Sequence, residues 1–259
     1  MIKLAGKMPY VLGLIHNYRN WQLIIINRFQ KKRIKEIRLR NGLTILGGKD
    51  SLIEGLINEI FVQKVYNPEF LPIHEGDTVI DIGANIGIFG VFAASKGAGR
   101  IIEIEPFPEN IIRIKKNFSI NKMSMPIILK AAVSDNNGTE KLFLGDLDSH
   151  NLLFKNNPKI IGLEKYIRVK TVTLNEIIQK YFIKRVNFLK IDCEGGEGSI
   201  IASTLPPVWE KIDKVAIEYH DNVSTISHQQ IVKKLTRLGF QTKVVISDLL
   251  YGYVYAWKQ

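Results

Sequence analysis

The sequence has a single cysteine, Cys193, in 259 residues, so no intrachain disulfide framework is possible and a reducing compartment imposes no penalty. Long apolar runs are missing as well: Tyr10 to Ile26 is rich in Leu and Ile, but His16, Asn17, Arg19, Asn20 and Gln22 interrupt it. Nothing approaches the roughly 20 apolar residues of a membrane span, and no small-residue cleavage site follows a charged start. Acids are scarce at the beginning of the chain, where Glu36 stands alone against ten Lys and Arg in residues 1–40, a net +9 that leaves +2 on the other 219. A body so close to neutral argues against a main surface that tracks nucleic acid, which needs cations spread along a groove. With 46% hydrophobic and 24% charged residues, the chain also falls outside collagenous, low-complexity and disordered compositions.

What is present divides into two parts, a basic arm over residues 1–70 and a main domain over residues 71–259. In the arm, the pattern predicts a helix near residues 9–35 and a short hairpin from Lys35 to Leu46 that turns at Asn41-Gly42. The helix reads as a cap on the main domain with a solvated basic face; peripheral contact with the inner membrane surface of a cytoplasmic protein is the alternative.

From residue 77, apolar runs of strand length alternate with helix-period segments, which implies an α/β fold with a doubly wound, mostly parallel sheet. Seven strands are expected: Thr78 to Ile82, Arg100 to Ile104, Ile127 to Val133, Val186 to Ile191, Lys214 to Tyr219, Gln241 to Ile246 and Gly252 to Trp257. Helices are expected at Ile86 to Lys96, Pro108 to Asn121, Leu174 to Phe182, Gly198 to Thr204 and Ser227 to Leu238. Between Asn136 and Val172 lies a longer excursion with Gly138, Gly145, Pro158 and Gly162, too irregular for a crossover helix and of a kind that often shapes a substrate mouth.

The segment richest in chemistry is Thr78-Val-Ile-Asp-Ile-Gly-Ala-Asn-Ile-Gly-Ile-Phe-Gly, a buried strand that runs through a glycine turn into a helix. Glycines there let the backbone turn tightly and let a ligand approach the main chain. Eighteen residues beyond Gly87, at the end of the second strand, Glu105 stands where doubly wound folds place an acceptor for ribose hydroxyls. A dinucleotide site wants glycine at the position of Asn85 and no acid at Asp81, so a diphosphate is disfavoured. S-adenosyl-L-methionine carries a sulfonium and an ammonium group but no phosphate, and acids near the loop suit it. A nicotinamide-dependent oxidoreductase on a modified site is the runner-up, and a membrane-surface or polyanion-binding module with a degenerate pocket is the reading from another class.

Asp81-Ile-Gly-Ala-Asn-Ile-Gly, Glu105-Pro-Phe-Pro-Glu-Asn, Ala131-Ala-Val-Ser-Asp, Leu189-Lys-Ile-Asp-Cys-Glu-Gly-Gly-Glu and Ile217-Glu-Tyr-His follow one another in order. Together they resemble the successive motifs of the FkbM family of S-adenosylmethionine-dependent methyltransferases, over roughly residues 75–220. The resemblance implies a class I methyltransferase (Rossmann-like) fold whose seven-stranded sheet has an antiparallel last strand. It also implies O-methylation of a hydroxyl on a sugar, glycolipid or natural product. On that match Asp81, Gly83, Ala84, Asn85 and Gly87 would hold the methionine end, Glu105 the ribose, and Ala132 with Ser134 the adenine edge, while Asp192 would border the cofactor. Gly196 departs from the family, which more often has Ala there.

The fourth strand ends in Lys190-Ile-Asp-Cys-Glu-Gly-Gly-Glu, where Asp192 and Glu194 share a side if the strand persists. Asp192 reads as a site residue, because an acid after Phe188-Leu-Lys-Ile is otherwise costly, and Glu197 as an acid at a helix N-terminus. Cys193 has no neighbouring histidine and reads as a small buried strand residue rather than a nucleophile. His220, with Glu218 two residues earlier to orient it, is the expected general base, with Asp192 or Glu194 as substitutes. Asp192, Glu218 and His220 make a thin basis for a metal, and none is expected.

Overall fold

The computed structural model describes residues 8–47, 53–144 and 165–258. The arm opens with two helices in place of the single expected one, α1 (Met8–Asn17) and α2 (Trp21–Phe29). The break has a local cause. Tyr18 forms a bridge with Leu39, and Asn20 accepts from the Arg38 amide while donating to the Glu36 carbonyl, so the hairpin claims the backbone between the helices. That hairpin, β1 (Glu36–Arg38) and β2 (Thr44–Leu46), turns as expected through Gly42 at φ +97°. A short helix, α3 (Ile53–Ile57), then passes into a π-helical turn (Asn58–Gln63) that ends at Lys64 in the left-handed region.

The main domain follows as β3 (Thr78–Ile82), α4 (Ile88–Ser95), β4 (Arg100–Ile104), α5 (Pro108–Ile120) and β5 (Ile127–Leu129). The strand expected from Ile127 to Val133 is in fact two strands, because the chain leaves the sheet after Leu129. Ala132–Val133, β6, joins β7 (Gly138–Phe143) and β8 (Tyr166–Val172) in a separate three-stranded sheet. The irregular excursion thus contains an antiparallel ladder, while Gly145, Pro158 and Gly162 lie outside the described residues. Next come α6 (Leu174–Lys180), β9 (Phe188–Ile191), α7 (Glu197–Ser203), the unanticipated one-turn α8 (Pro206–Trp209), β10 (Lys214–His220), α9 (His228–Arg237), β11 (Gln241–Ile246) and β12 (Tyr251–Trp257).

The seven-stranded sheet has the order β11-β12-β10-β9-β3-β4-β5, and β12 runs antiparallel to both neighbours while the others are parallel. This is the class I methyltransferase arrangement. Strand alternation sends Ile80, Ile82, Leu189, Ile191, Val215 and Ile217 to one face, where they pack with α6, α7 and α9. Val79, Phe188, Ala216, Tyr253 and Tyr255 point to the other face. There the arm and α4 share one cluster: Leu14, Ile24, Ile37, Ile45 and Ile57 pack with Phe89 and Phe92, so the apolar cluster continues across residue 70. Asn117 of α5 and Asn121 at its carboxyl cap bond the β2 backbone and fasten the hairpin. Among the described residues no helix is long and apolar enough to cross a membrane.

Candidate active site

Sheet order reverses between β3 and β9, and at the carboxyl ends of these strands a cavity of about 340 Å³ opens. Its near wall is the glycine loop, in which Gly83, Asn85 and Gly87 all adopt positive φ. At Gly83 a Cβ would lie 1.7 Å from the Asp192 carbonyl oxygen, so only glycine lets β3 and β9 approach so closely. The Gly83 and Ala84 amides donate to the Ile104 carbonyl, and the Asn85 amide donates to Glu105 Oε2 at 2.8 Å. Phe107 donates to the other Glu105 oxygen, also at 2.8 Å. Burial, opposed by these amides and by Asn110, pushes the Glu105 carboxyl up to about 7.

Gly83, Ala84, Asn85, Glu105, Ala132 and Asp192 line the cavity, as the sequence led us to expect, whereas Asp81, Gly87, Ser134 and His220 do not. Gly87 instead caps α4 and packs against Ile114. Ser134 is engaged in β-structure through its amide to Val172, with its hydroxyl turned to Asp135. Asp81 lies two residues before Gly83 on β3, fully buried on the sheet face it shares with Val79.

There it belongs to a row of register partners, Glu103 on β4, Asp81 on β3 and Lys190 on β9, all buried. Lys190 Nζ lies 3.0 Å from Asp81 Oδ1 and donates to the Gly83 carbonyl, which ties the glycine loop to β9. Burial and then Asp81 push the Glu103 carboxyl well up, while burial, opposed by the Lys190 charge and hydrogen bond, raises Asp81. Gly90 makes room, since a Cβ there would overlap the Glu103 carboxyl.

The same sheet face presents Asp192 and Glu218, which line the cavity, and His220 just outside its lining, at the ends of β9 and β10, and Tyr66 of the arm covers the two acids. Tyr66, fully enclosed, donates from its phenol to Glu218 Oε2 (2.5 Å) and lies 3.0 Å from Asp192 Oδ2, with Lys190 Nζ 5.1 Å from its ring centre. Glu59 accepts from Tyr253 at 2.6 Å. Burial and then Asp192 push the Glu218 carboxyl up to about 8, against the Tyr66 hydrogen bond and the His220 charge. His220 Nδ1 lies 3.4 Å from Glu197 Oε1, and its Nε2 lies 3.9 Å from Glu194 and 4.0 Å from Glu218. Burial alone would lower the imidazole, but Glu197 and then Asp192 and Glu194 overcome it and carry it up to about 10. Glu197 heads α7 as expected, and its carboxylate also accepts from the Cys193 and Gly195 amides. Burial and Glu197 raise the Cys193 thiol well above its usual range, which leaves it un-ionised. Among the described residues no set of three His, Cys, Asp or Glu could hold a metal.

The model of the methyltransferase FkbM domain matches residues 81–242. The chain belongs to the FkbM methyltransferase family. It is 25% identical over 246 residues to the 31-O-demethyl-FK506 methyltransferase FkbM of Streptomyces tacrolimicus, covering 85% of this chain and 93% of that one. With the hexuronic acid methyltransferase AglP of Haloferax volcanii it shares 22% identity over 226 residues, 85% of this chain and 83% of the relative. A solved methyltransferase FkbM from Methylobacillus flagellatus KT superposes on 73% of this chain at 18% identity with a TM-score of 0.49, and this chain spans 46% of that protein.

The cofactor of this FkbM methyltransferase is S-adenosylmethionine, and nicotinamide chemistry is set aside. The residues present fit it: Asn85 Oδ1 is buried without a partner and awaits a donor, Glu105 is held open by two amides, and acids surround the floor that a cation would face. Sequence reasoning missed Tyr66 and Glu59, which lie in the arm outside any motif, and left Lys190 and Asn110 unassigned inside motifs it had quoted.

Proposed function

We propose that this methyltransferase acts on a hydroxyl of a sugar or natural product, with Glu218 as the group that takes the hydroxyl proton. Relatives named for FK506 and for hexuronic acids support this acceptor class. The observation that carries the reading is the position of Glu218: it borders the cofactor cavity and also a second, more open groove, so an acceptor arriving by that groove meets a carboxyl that titrates near 8. S-adenosylmethionine, held by Glu105, Asn85 and Ala132, would supply an electrophilic sulfonium methyl group for the acceptor oxygen, with S-adenosylhomocysteine as the leaving group. As the new carbon–oxygen bond forms, the hydroxyl proton passes to the Glu218 carboxylate, a step typically worth 10²–10⁴-fold.

The protein's other contributions are positional. Tyr66 fixes one Glu218 oxygen and leaves the second for the acceptor. His220, raised to about 10, is almost wholly protonated at neutral pH, whereas Glu218, raised only to about 8, keeps an ionised fraction of about a tenth at pH 7 that grows with pH, so the base role moves from His220 to Glu218. Glu105 takes the ribose hydroxyls, Asn85 the ammonium end, and Ala132 the adenine edge. Labelled S-adenosylmethionine offered with glycoside and natural-product extracts tests the reading. Glu218→Gln is expected to lose at least about a hundredfold in transfer while S-adenosylhomocysteine affinity stays within a few fold. Full activity of that variant removes Glu218 from the reaction.

For the arm we infer peripheral contact with an anionic membrane surface. The supporting observation is that α1 and α2 expose Leu12, Leu23, Ile26 and Phe29 in the segment that holds most of the net charge.

A further inference from the structure

Asp192 and Glu218 stand side by side, one residue beyond Ile191 and Ile217, the last registered pair of β9 and β10. Like charges on neighbouring strands repel, so this end of the sheet needs something between the two acids. The arm supplies it. Tyr66 is buried at 2% exposure, and edge-to-face contacts with Phe89 (ring centres 5.8 Å apart) and Tyr253 (5.7 Å) hold its ring in place. Its phenol oxygen lies 2.5 Å from Glu218 Oε2 and 3.0 Å from Asp192 Oδ2.

A phenol carries one hydrogen, and here two carboxyl groups compete for it. While both are ionised the hydrogen can serve only one, and the shorter contact assigns it to Glu218. The other contact then sets a phenol lone pair against Asp192 Oδ2, a repulsion offset by Lys190, whose Nζ lies 3.4 Å from that same oxygen. Once Glu218 gains a proton it is a neutral acceptor, and a hydrogen bond to a charged oxygen is roughly twice as strong as one to a neutral oxygen. The hydrogen then belongs with Asp192, and only the O–H bond has to turn. The groups that face Glu218 from the surrounding elements are otherwise engaged. Glu59 of the π-helical turn accepts from Tyr253 of β12, Tyr255 donates to the Val65 carbonyl, Lys190 of β9 is paired with Asp81, and His220 of β10 lies nearer to Glu197 than to Glu218.

We propose that Tyr66 is a positioning residue that acts as a two-state switch: its hydrogen holds Glu218 in the form that accepts the acceptor's proton and turns to Asp192 as that proton arrives. The proton passes from the acceptor oxygen to the free oxygen of Glu218, Tyr66 keeps its own hydrogen throughout, and the pair of acids loses one negative charge. The proposal rests on the reading of Glu218 as the base and goes beyond it in giving the phenol a second partner after transfer. Its consequence is measurable. A donor with a charged alternative favours ionised Glu218 by less than a donor with none, because the protonated state also keeps a strong hydrogen bond.

Carbon-13 NMR of the full chain labelled in its Asp and Glu carboxyl groups tests this without acceptor or cofactor, with Glu218→Gln and Asp192→Asn assigning the two signals. Tyr66→Phe, which retains the packed ring, is expected to raise the proton affinity of Glu218, and to raise it by a factor at least threefold larger in the Asp192→Asn background, where the hydrogen has no charged alternative. Equal factors in the two backgrounds, including no change in either, overturn the switch and leave a phenol with a single partner. A second reading needs no substitution at Asp192: its signal is expected to move as Glu218 titrates in the native chain, and Tyr66→Phe to reduce that movement at least twofold. An undiminished movement means that Asp192 senses only the Glu218 charge, and the proposal fails. Full transfer activity of Glu218→Gln is a different result, which removes the base and with it the reaction that the switch serves.

Discussion

A few side chains decide how this site holds charge, and Glu105 is the simplest to test. Burial pushes its carboxyl up to about 7, and in the proposed role two ribose hydroxyls would favour its ionised form, so cofactor binding would expel a proton wherever the free enzyme still holds one. S-adenosylhomocysteine affinity is therefore expected to be level above pH 8 and to fall as pH drops through 7, while Glu105→Ala removes the dependence and costs about 1.5–3 kcal/mol. Calorimetry between pH 5.5 and 8.5 checks both, and a flat profile for the native chain separates Glu105 from the ribose. Tyr66 gives a second residue-scale expectation. Its hydrogen bond lowers the Glu218 carboxyl, so Tyr66→Phe should move the rise of kcat/KM with pH to higher pH and leave cofactor affinity nearly unchanged. His220 works in the opposite sense: raised from its usual value to about 10, it contributes stability that is complete below about 6.5 and lost as pH rises through 10. Thermal unfolding of His220→Gln should accordingly converge on that of the native chain at high pH. The glycine loop was legible in the sequence because close approach demands glycine, and Glu105 as a residue of the cavity because its fixed spacing from the loop brings it to the end of the neighbouring strand. Tyr66 was not, since its partners lie 126 and 152 residues away and no local pattern marks a tyrosine that will be folded over them.

Among the elements, strand alternation could be read directly: a period of two sends Ile80 and Ile82 to one face and Val79 and Asp81 to the other, and the expected strands are present, the one from Ile127 to Val133 cut short at Leu129. Two events decided by tertiary contacts could not be read. Asn20 finds β1 partners that end α1 and start α2 anew, and after Leu129 the β6 backbone exchanges the main sheet for β8. The row Glu103, Asp81, Lys190 across β4, β3 and β9 buries an ion pair between elements. Lys190→Met leaves the Asp81 charge buried without its partner and is expected to destabilise the fold by about 3–5 kcal/mol. Adding Asp81→Asn removes the orphaned charge and should restore most of that loss, a non-additivity that urea unfolding of the single and double variants can read. Equal, additive losses would mean that the two side chains are not energetically paired.

At the level of the whole molecule, charge and packing divide the arm into two surfaces. Leu14, Ile24, Ile37 and Ile45 are sealed in the core with α4, and Asn117 and Asn121 secure the hairpin, so the arm is part of the folded body and a chain lacking it would lay open Phe89 and Phe92. Removing it would confound stability with binding, which makes substitutions on its outer surface the better probe. Phe29 is 80% exposed and Leu23 56%, close in sequence to Arg28, Lys31 and Lys32, so apolar insertion and electrostatic attraction are available from one region. Each cation near an anionic surface contributes about 1 kcal/mol, screened within a Debye length of about 8 Å at physiological salt. The full chain is thus expected to sediment with phosphatidylserine-containing vesicles at low salt, to be released at high salt, and to ignore phosphatidylcholine vesicles. Leu23→Ser with Phe29→Ser should weaken binding at every salt concentration, because insertion does not depend on screening, whereas Lys31→Gln with Lys32→Gln should reduce the slope of the salt dependence. Vesicle binding that is absent, or indifferent to all four substitutions, would reduce the arm to a cover for the sheet and the source of Tyr66 and Glu59.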